Sequence, residues 1–81
     1  MDLAQVLYDL IKPMVEDVDK LEVKEMPGLN DREILLQVFA SNDDISRLIG
    51  KKGSMATALR QVMSVASNKD RKRVSIKFEQ I

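Results

Sequence analysis

Two glycines flank two lysines in the segment LIGKKGS, which covers residues 48–54. Glycines placed in this way can close a tight turn, end a helix or let a phosphate approach the backbone, because glycine has no Cβ. Lys51 and Lys52 add positive charge at the same point. The chemistry that these residue types could support is therefore the binding of phosphate groups.

The spacing of the lysines argues against a mononucleotide-binding loop. That loop has the pattern G-x-x-x-x-G-K-[ST], in which the lysine directly follows the second glycine. In this chain Ser54 follows Gly53, and both lysines lie between Gly50 and Gly53. The pattern G-x-G-x-x-G of dinucleotide-binding folds does not fit either. A nucleic-acid backbone remains the candidate ligand of this glycine loop, residues 50–53.

The residue types that most enzymes and zinc sites require are missing. The chain has no cysteine and no histidine, which excludes disulfides, Cys/His zinc sites and catalysis by Ser-His or Cys-His pairs. Asp43 and Asp44 are adjacent carboxylates, but they lie where a helix is predicted to start, and acidic residues favour that position. We therefore predict a non-enzymatic protein with no catalytic residue, metal, cofactor or small-molecule substrate.

Charge is distributed unevenly along the 81 residues. The formal net charge is zero, but residues 1–46 carry 11 acidic and 4 basic side chains, whereas residues 47–81 carry 9 basic and 2 acidic ones. A basic half around the glycine loop can attract phosphates locally, although it can also be only a solvated surface. The start of the chain resembles no signal peptide, and no apolar run reaches the ~18 residues of a membrane span. We expect a cytoplasmic protein without a membrane partner.

The elements that position the loop are predicted from apolar spacing. Residues 3–18 have the pattern of an amphipathic helix, which we expect to continue past Pro13 to about residue 17. Leu21 and Val23 predict a strand, MPGLND a turn, and residues 32–40 a second strand that pairs with the first as a hairpin. Both faces of the second strand are largely apolar, so we expect it to be central or to contact a partner.

Two further helices and a strand complete the prediction. Ser41 is expected to cap a helix that ends at Gly50, with Asp44 as the acidic member of a capping box. Ser54 is expected to cap a third helix. Its predicted buried residues are Met55, Ala58, Leu59, Val62, Met63 and Ala66. Residues 74–79 alternate as a last strand.

The order of elements is thus α-β-β-α-α-β. The last strand reaches the sheet through a two-helix crossover, which allows parallel pairing. We predict a single α+β domain over residues 1–81, with three helices packed on one face of a three-stranded mixed sheet.

The sequence IGKKG at a helix–helix junction, in this order of elements, resembles the GXXG loop of a type II KH domain. A KH domain uses this loop to clamp about four nucleotides of single-stranded RNA. The resemblance covers nearly the whole chain and extends to the small bacterial KH proteins of the KhpA family. It implies a post-transcriptional regulator or RNA chaperone that acts as a homodimer or as a heterodimer with a larger KH-domain protein. The alternative is a dimerisation module in which RNA contact is secondary.

The resemblance also implies which residues contact RNA. The loop itself would be the main contact, Ile49 the apolar residue before it, and Ile45 and Leu48 the wall of the base-binding groove. Apolar residues at all three positions favour a role in the core over one in the groove, although one position can serve both. Many relatives have a basic residue where Ser54 stands, and Arg47 and Arg60 are candidates to replace that contact. The predicted RNA-binding residues are Ile45, Arg47, Leu48, Ile49, Gly50, Lys51, Lys52, Gly53, Ser54 and Arg60.

Two further predictions concern the rest of the surface. The turn that contains Lys69, Arg71, Lys72 and Arg73 is either solvated or a secondary track for phosphates. The three aromatic residues, Tyr8, Phe39 and Phe78, all fall in core patterns. Because RNA-binding folds with strong base stacking expose aromatic side chains, we expect low sequence specificity.

Overall fold

The order of helices and strands in the computed structural model matches the prediction. The structure describes residues 2–69 and 71–81, so Met1 and Asp70 lie outside it. Its elements are α1 (Leu3–Ile11), β1 (Glu22–Pro27), β2 (Glu33–Ala40), α2 (Asn42–Ile49), α3 (Ser54–Asn68) and β3 (Arg73–Gln80). The predicted α+β class and the order α-β-β-α-α-β are therefore confirmed. No helix in the described ranges is long and apolar enough to cross a membrane.

The sheet is mixed and has the strand order β1-β2-β3. β1 pairs with β2 in an antiparallel hairpin, and β3 pairs with β2 in parallel after the two-helix crossover. The prediction that the second strand is central is thus correct. Alternate residues of β2 are fully or nearly fully buried against the helices, whereas those between them are half-buried on the other face. The buried residues are Ile34, Leu36, Val38 and Ala40.

One core lies between the helices and this face of the sheet. Each helix contributes large apolar side chains that are almost completely buried, among them Leu7 of α1, Leu48 of α2 and Met63 of α3. Burying a side chain of this size contributes about 1.5–3 kcal/mol to folding. The core therefore fixes the positions of α2 and α3, and with them the connection between the two helices.

The first helix is shorter than predicted. α1 ends at Ile11, a single 3₁₀ turn follows, and Val15 is already extended, with φ −100° and ψ 151°. Pro13 explains the change, since it has no N–H group to donate and its ring clashes with the carbonyl four residues earlier. Val15 is nonetheless buried. Apolar residues can therefore reach the core without a helix, and the expectation of a helix to residue 17 is wrong.

The buried side of α3 also differs from the prediction. Leu59 and Met63 are buried as expected, whereas Ala58 and Val62 are exposed. The remaining fully buried positions on α3 are Ala56 and Ser67. Apolar residues cover more than one side of this helix, so their spacing alone did not show which side faces the sheet.

Candidate nucleic-acid interface

α2 carries the glycine loop at its C-terminal end and is held firmly at its N-terminal end. The Asp44 N–H donates to the Ser41 hydroxyl at 3.4 Å, which confirms the predicted cap. The Asp44 side chain does not complete a conventional capping box. It is buried, and its two oxygens accept the backbone N–H groups of Glu16 and Asp17 at 3.0 Å each. These bonds lower the pKa of Asp44, and they join α2 to the segment that follows α1.

Gly50 ends α2, and the fold itself requires glycine at this position. Its N–H donates to the carbonyl of Ser46 at 3.0 Å, and its φ of 77° and ψ of 175° lie in a region that essentially only glycine adopts. A Cβ at this position would lie 2.7 Å from Cβ and 2.8 Å from the backbone nitrogen of Met55. The predicted role of Gly50 as a helix stop is confirmed.

Gly53 differs from Gly50 in its surroundings. It has a left-handed conformation, with φ 76° and ψ 13°. Apart from its own turn and its chain neighbours, no atom of the described residues lies within 4 Å of a Cβ built on it. The protein therefore leaves open space above this residue. A ligand backbone can approach the peptide here more closely than at any residue with a side chain.

The two lysines occupy a 3₁₀ turn between the glycines, closed by a hydrogen bond of 3.2 Å from the Gly53 N–H to the Gly50 carbonyl. Lys52 has φ 56°, an uncommon conformation for a residue other than glycine. Both lysines are exposed, and neither forms an ion pair with any residue in the ranges 2–69 and 71–81. Their charge is available to a ligand.

α3 begins directly at this loop, and the predicted cap is wrong. Gly53 is the N-cap, and as glycine it has no side chain that could accept a capping hydrogen bond. Ser54 is already helical, with φ −62° and ψ −41°. Because glycine readily adopts the left-handed conformation, Gly53 serves as the cap, and the cap lies one residue earlier than predicted. The Ser54 N–H donates to the Lys51 carbonyl within the preceding 3₁₀ turn. The start of α3 still places the positive end of its helix dipole at the loop. Such a helix end attracts anions.

The apolar residues before the loop separate into core and surface. Leu48 is fully buried and Ile45 is 9% exposed, whereas Ile49 is 36% exposed. Leu48 has no surface that RNA could contact in this conformation, and we assign Leu48 and Ile45 to the core. Of these three residues, Ile49 is the one that offers exposed apolar surface beside the loop.

The two candidate arginines are placed differently. Nη1 of Arg47 lies 2.9 Å from Oδ1 of Asp44, and Nη2 lies 2.8 Å from Oε1 of Glu16. Its guanidinium therefore already has two carboxylate partners. Arg60 is exposed on α3, about 10 Å along the helix axis from Gly53. The contact to Glu16 was not foreseen because the two residues lie 31 positions apart in the sequence.

Comparison with known sequences identifies the family of this fold and loop. The sequence model described as "KhpA/KhpB, KH domain" matches residues 4–78, which include the glycine loop. The chain belongs to this family. The predicted resemblance to the KhpA proteins is thereby confirmed. The domain of this family is an RNA-binding module rather than an enzyme fold.

Individual KhpA proteins match over nearly their whole length. The RNA-binding protein KhpA of Clostridium acetobutylicum is 32% identical over 76 residues, which cover 94% of this chain and 99% of the relative. The RNA-binding proteins KhpA of Clostridium perfringens and Caldanaerobacter subterraneus are 31% and 28% identical, with the same coverage. The alignments therefore cover nearly the whole length both of this chain and of these three relatives.

Proposed function

We propose that this protein is a non-enzymatic binder of single-stranded RNA, with the glycine loop as its contact to the RNA backbone. The observation that carries the proposal is the open space above Gly53, next to the start of α3. Beside it lie two lysines that form no ion pair with any residue in the ranges 2–69 and 71–81. Close approach, the charge of the two lysines and the positive end of the α3 dipole all favour phosphate at the same point. Several curated relatives are named RNA-binding proteins, which agrees with this proposal.

Binding should depend little on base sequence. Nζ of Lys12 lies 5.9 Å from the centre of the Tyr8 ring, and Nζ of Lys24 lies 5.5 Å from the centre of the Phe39 ring. Two of the aromatic rings therefore already have a cation partner within the fold. Phe78 packs against the core. None of these rings lies in the glycine loop or in the flanking helices. Recognition therefore depends on the backbone contacts and on apolar contact with Ile49.

We also propose that the protein acts as a homodimer, or as a heterodimer with a larger KH-domain protein, in post-transcriptional regulation or as an RNA chaperone. Val62 and Val65 of α3 are 49% and 75% exposed. Together with exposed Ala58 they form an apolar stripe at helical spacing. A second KH domain on this stripe would bring two glycine loops into one particle, which raises affinity through effective concentration.

The stripe also supports the alternative, a dimerisation module in which RNA contact is secondary. The variant Lys51→Asp/Lys52→Asp separates the two, since it reverses the loop charge without changing any core residue. We expect it to retain its helix content and to bind single-stranded RNA at least about tenfold more weakly. The matched control is Lys20→Asp/Lys24→Asp, which changes net charge equally at two exposed lysines outside the loop. Equal amounts of RNA crosslinked to the parent and the loop variant in cells would overturn the proposal.

A further inference from the structure

Basic side chains from two separate segments line one open cleft at the end of α3. The cleft has a volume of about 410 Å³ and is lined by Arg32, Ser64, Asn68, Arg71, Lys72 and Arg73. Among the described residues, none of those that line the cleft carries a carboxylate. The Arg73 N–H donates to the Arg32 carbonyl at 2.7 Å, where β3 begins its parallel pairing with β2. The sheet thus holds the two segments together.

The turn into this cleft contains an arginine in an unfavourable conformation. The Lys72 N–H donates to the Ser67 carbonyl at 3.4 Å, and the Arg71 N–H donates to the Asn68 carbonyl at 3.1 Å. These two bonds are those of a Schellman motif, in which the left-handed residue is usually glycine. Here it is Arg71, with φ 56°. A residue that occupies such a conformation without being glycine points to a role for its side chain.

A polar face of α3 connects this cleft to the glycine loop. Its members are exposed and recur every three or four positions, so they lie on one side of the helix. They are Thr57, Arg60, Gln61, Ser64 and Asn68. α3 contains no acidic residue. A polyanion along this face would therefore meet no repulsion from the helix over its length of about 22 Å.

We propose that Arg32, Arg71 and Arg73 form a second phosphate-binding site, which takes the backbone of a single-stranded RNA whose other phosphates lie at the glycine loop. This inference rests on the proposed function. Guanidinium groups suit the role because each can donate two parallel hydrogen bonds to a phosphate. Lys72 is left out because it also lines a neighbouring cleft with Glu25, Asp31 and Glu33.

The second site makes affinity depend on RNA length. A KH loop clamps about four nucleotides. With phosphates about 3.4 Å apart in a stacked strand, about seven nucleotides are needed to cover the distance along α3. Four-nucleotide RNA can therefore occupy the loop alone, whereas RNA of about twenty nucleotides can occupy both sites and gain from effective concentration.

The experiment compares Arg32→Gln/Arg71→Gly/Arg73→Gln with the parent, using RNAs of four and about twenty nucleotides. We expect equal affinity for the short RNA. For the long RNA we expect the triple variant to bind about tenfold more weakly than the parent. We also expect the slope of log K against log salt concentration to be smaller by about 2, because each of the three lost phosphate contacts reduces this slope by about 0.7. The matched control, Lys12→Gln/Lys20→Gln/Lys24→Gln, removes the same charge elsewhere and should bind both RNAs as the parent does.

The single variant Arg71→Gly separates binding from folding. Glycine suits the left-handed position, so we expect its Tm not to fall while its affinity for the long RNA does. The inference is overturned if the triple variant binds the long RNA with the parent's affinity and salt dependence. The arginines would then only stabilise the negative C-terminal end of the α3 dipole or bind an acidic protein partner. Failure of the proposed function is a separate result, namely short-RNA binding that survives reversal of Lys51 and Lys52.

Discussion

Asp44 and Arg47 lie one turn apart on α2, with Oδ1 of the carboxylate 2.9 Å from Nη1 of the guanidinium. The same carboxylate accepts the N–H groups of Glu16 and Asp17, and the same guanidinium binds the Glu16 side chain. Ser41 donates its hydroxyl to the other carboxylate oxygen at 3.1 Å. This cluster connects the segment after α1 to the helix that carries the glycine loop, so it supports the loop from the interior.

Replacing Asp44 should therefore weaken the whole fold. In Asp44→Asn, one oxygen acceptor becomes an NH₂ group that faces a backbone N–H, and the negative charge opposite Arg47 is lost. We expect the Tm at neutral pH to fall by several degrees. Thermal unfolding followed by circular dichroism measures this. Asp43→Asn is the control, because Asp43 is exposed on the same helix turn, and equal Tm values for the two variants would contradict the assignment.

The same carboxylate should give the protein a specific pH dependence. The N–H groups of Glu16 and Asp17 are the main cause that lowers the pKa of Asp44 from its ordinary value of 3.8. The pKa of Asp44 is lower in the folded than in the unfolded chain. Ionised Asp44 therefore stabilises the fold fully at pH values above the ordinary pKa of 3.8. The contribution is lost as pH falls through the folded pKa. Urea unfolding should show a constant difference in stability between parent and Asp44→Asn from pH 7 to about pH 5, and a shrinking one below about pH 4. A difference that stays constant in acid would be the contrary result.

The two glycines of the loop should respond differently to alanine. Gly50→Ala combines a clash with backbone and an unfavourable conformation, and we expect it to lower the free energy of unfolding by about 2 kcal/mol or more. Gly53→Ala meets no neighbour and should cost only about 1 kcal/mol from its left-handed φ. Its methyl group would occupy the space that we assign to the RNA backbone. Urea unfolding should thus rank Gly50→Ala as the less stable variant, while RNA titration should show weakened binding by folded Gly53→Ala. Parent-like RNA affinity of Gly53→Ala would argue against close backbone approach at this residue.

Sequence patterns predicted the features that depend on neighbouring residues. The Ser41 cap and the helix stop at Gly50 each involve partners within four positions, and both are confirmed. The order of elements follows from apolar periodicity together with such local signals. The loop could be located from the sequence for the same reason.

Features that depend on distant partners could not be predicted in this way. Asp44 was interpreted only as a helix-start residue because Glu16 and Asp17 are 28 and 27 positions away. Pro13 was expected to interrupt a helix that burial would continue, but the chain buries Val15 in extended form. The convergence of Arg32 with Arg71 and Arg73 requires the parallel pairing of β2 and β3. Each case depends on tertiary structure rather than on local propensity.

The apolar stripe on α3 leads to a prediction about oligomeric state. Val62 and Val65 are exposed in the monomer and contribute little to its core. The variant Val62→Asp/Val65→Asp should therefore keep its helix content while it loses the dimer contacts. Sedimentation over a concentration series should show a dimer for the parent and a monomer for this variant. Gln61→Asp is the control, because it adds a charge to the polar side of the same helix. A parent that stays monomeric at the highest concentration would contradict the proposed homodimer. If the dimer forms, its loss should weaken binding of long RNA more than of four-nucleotide RNA, because only the long RNA can bridge two loops.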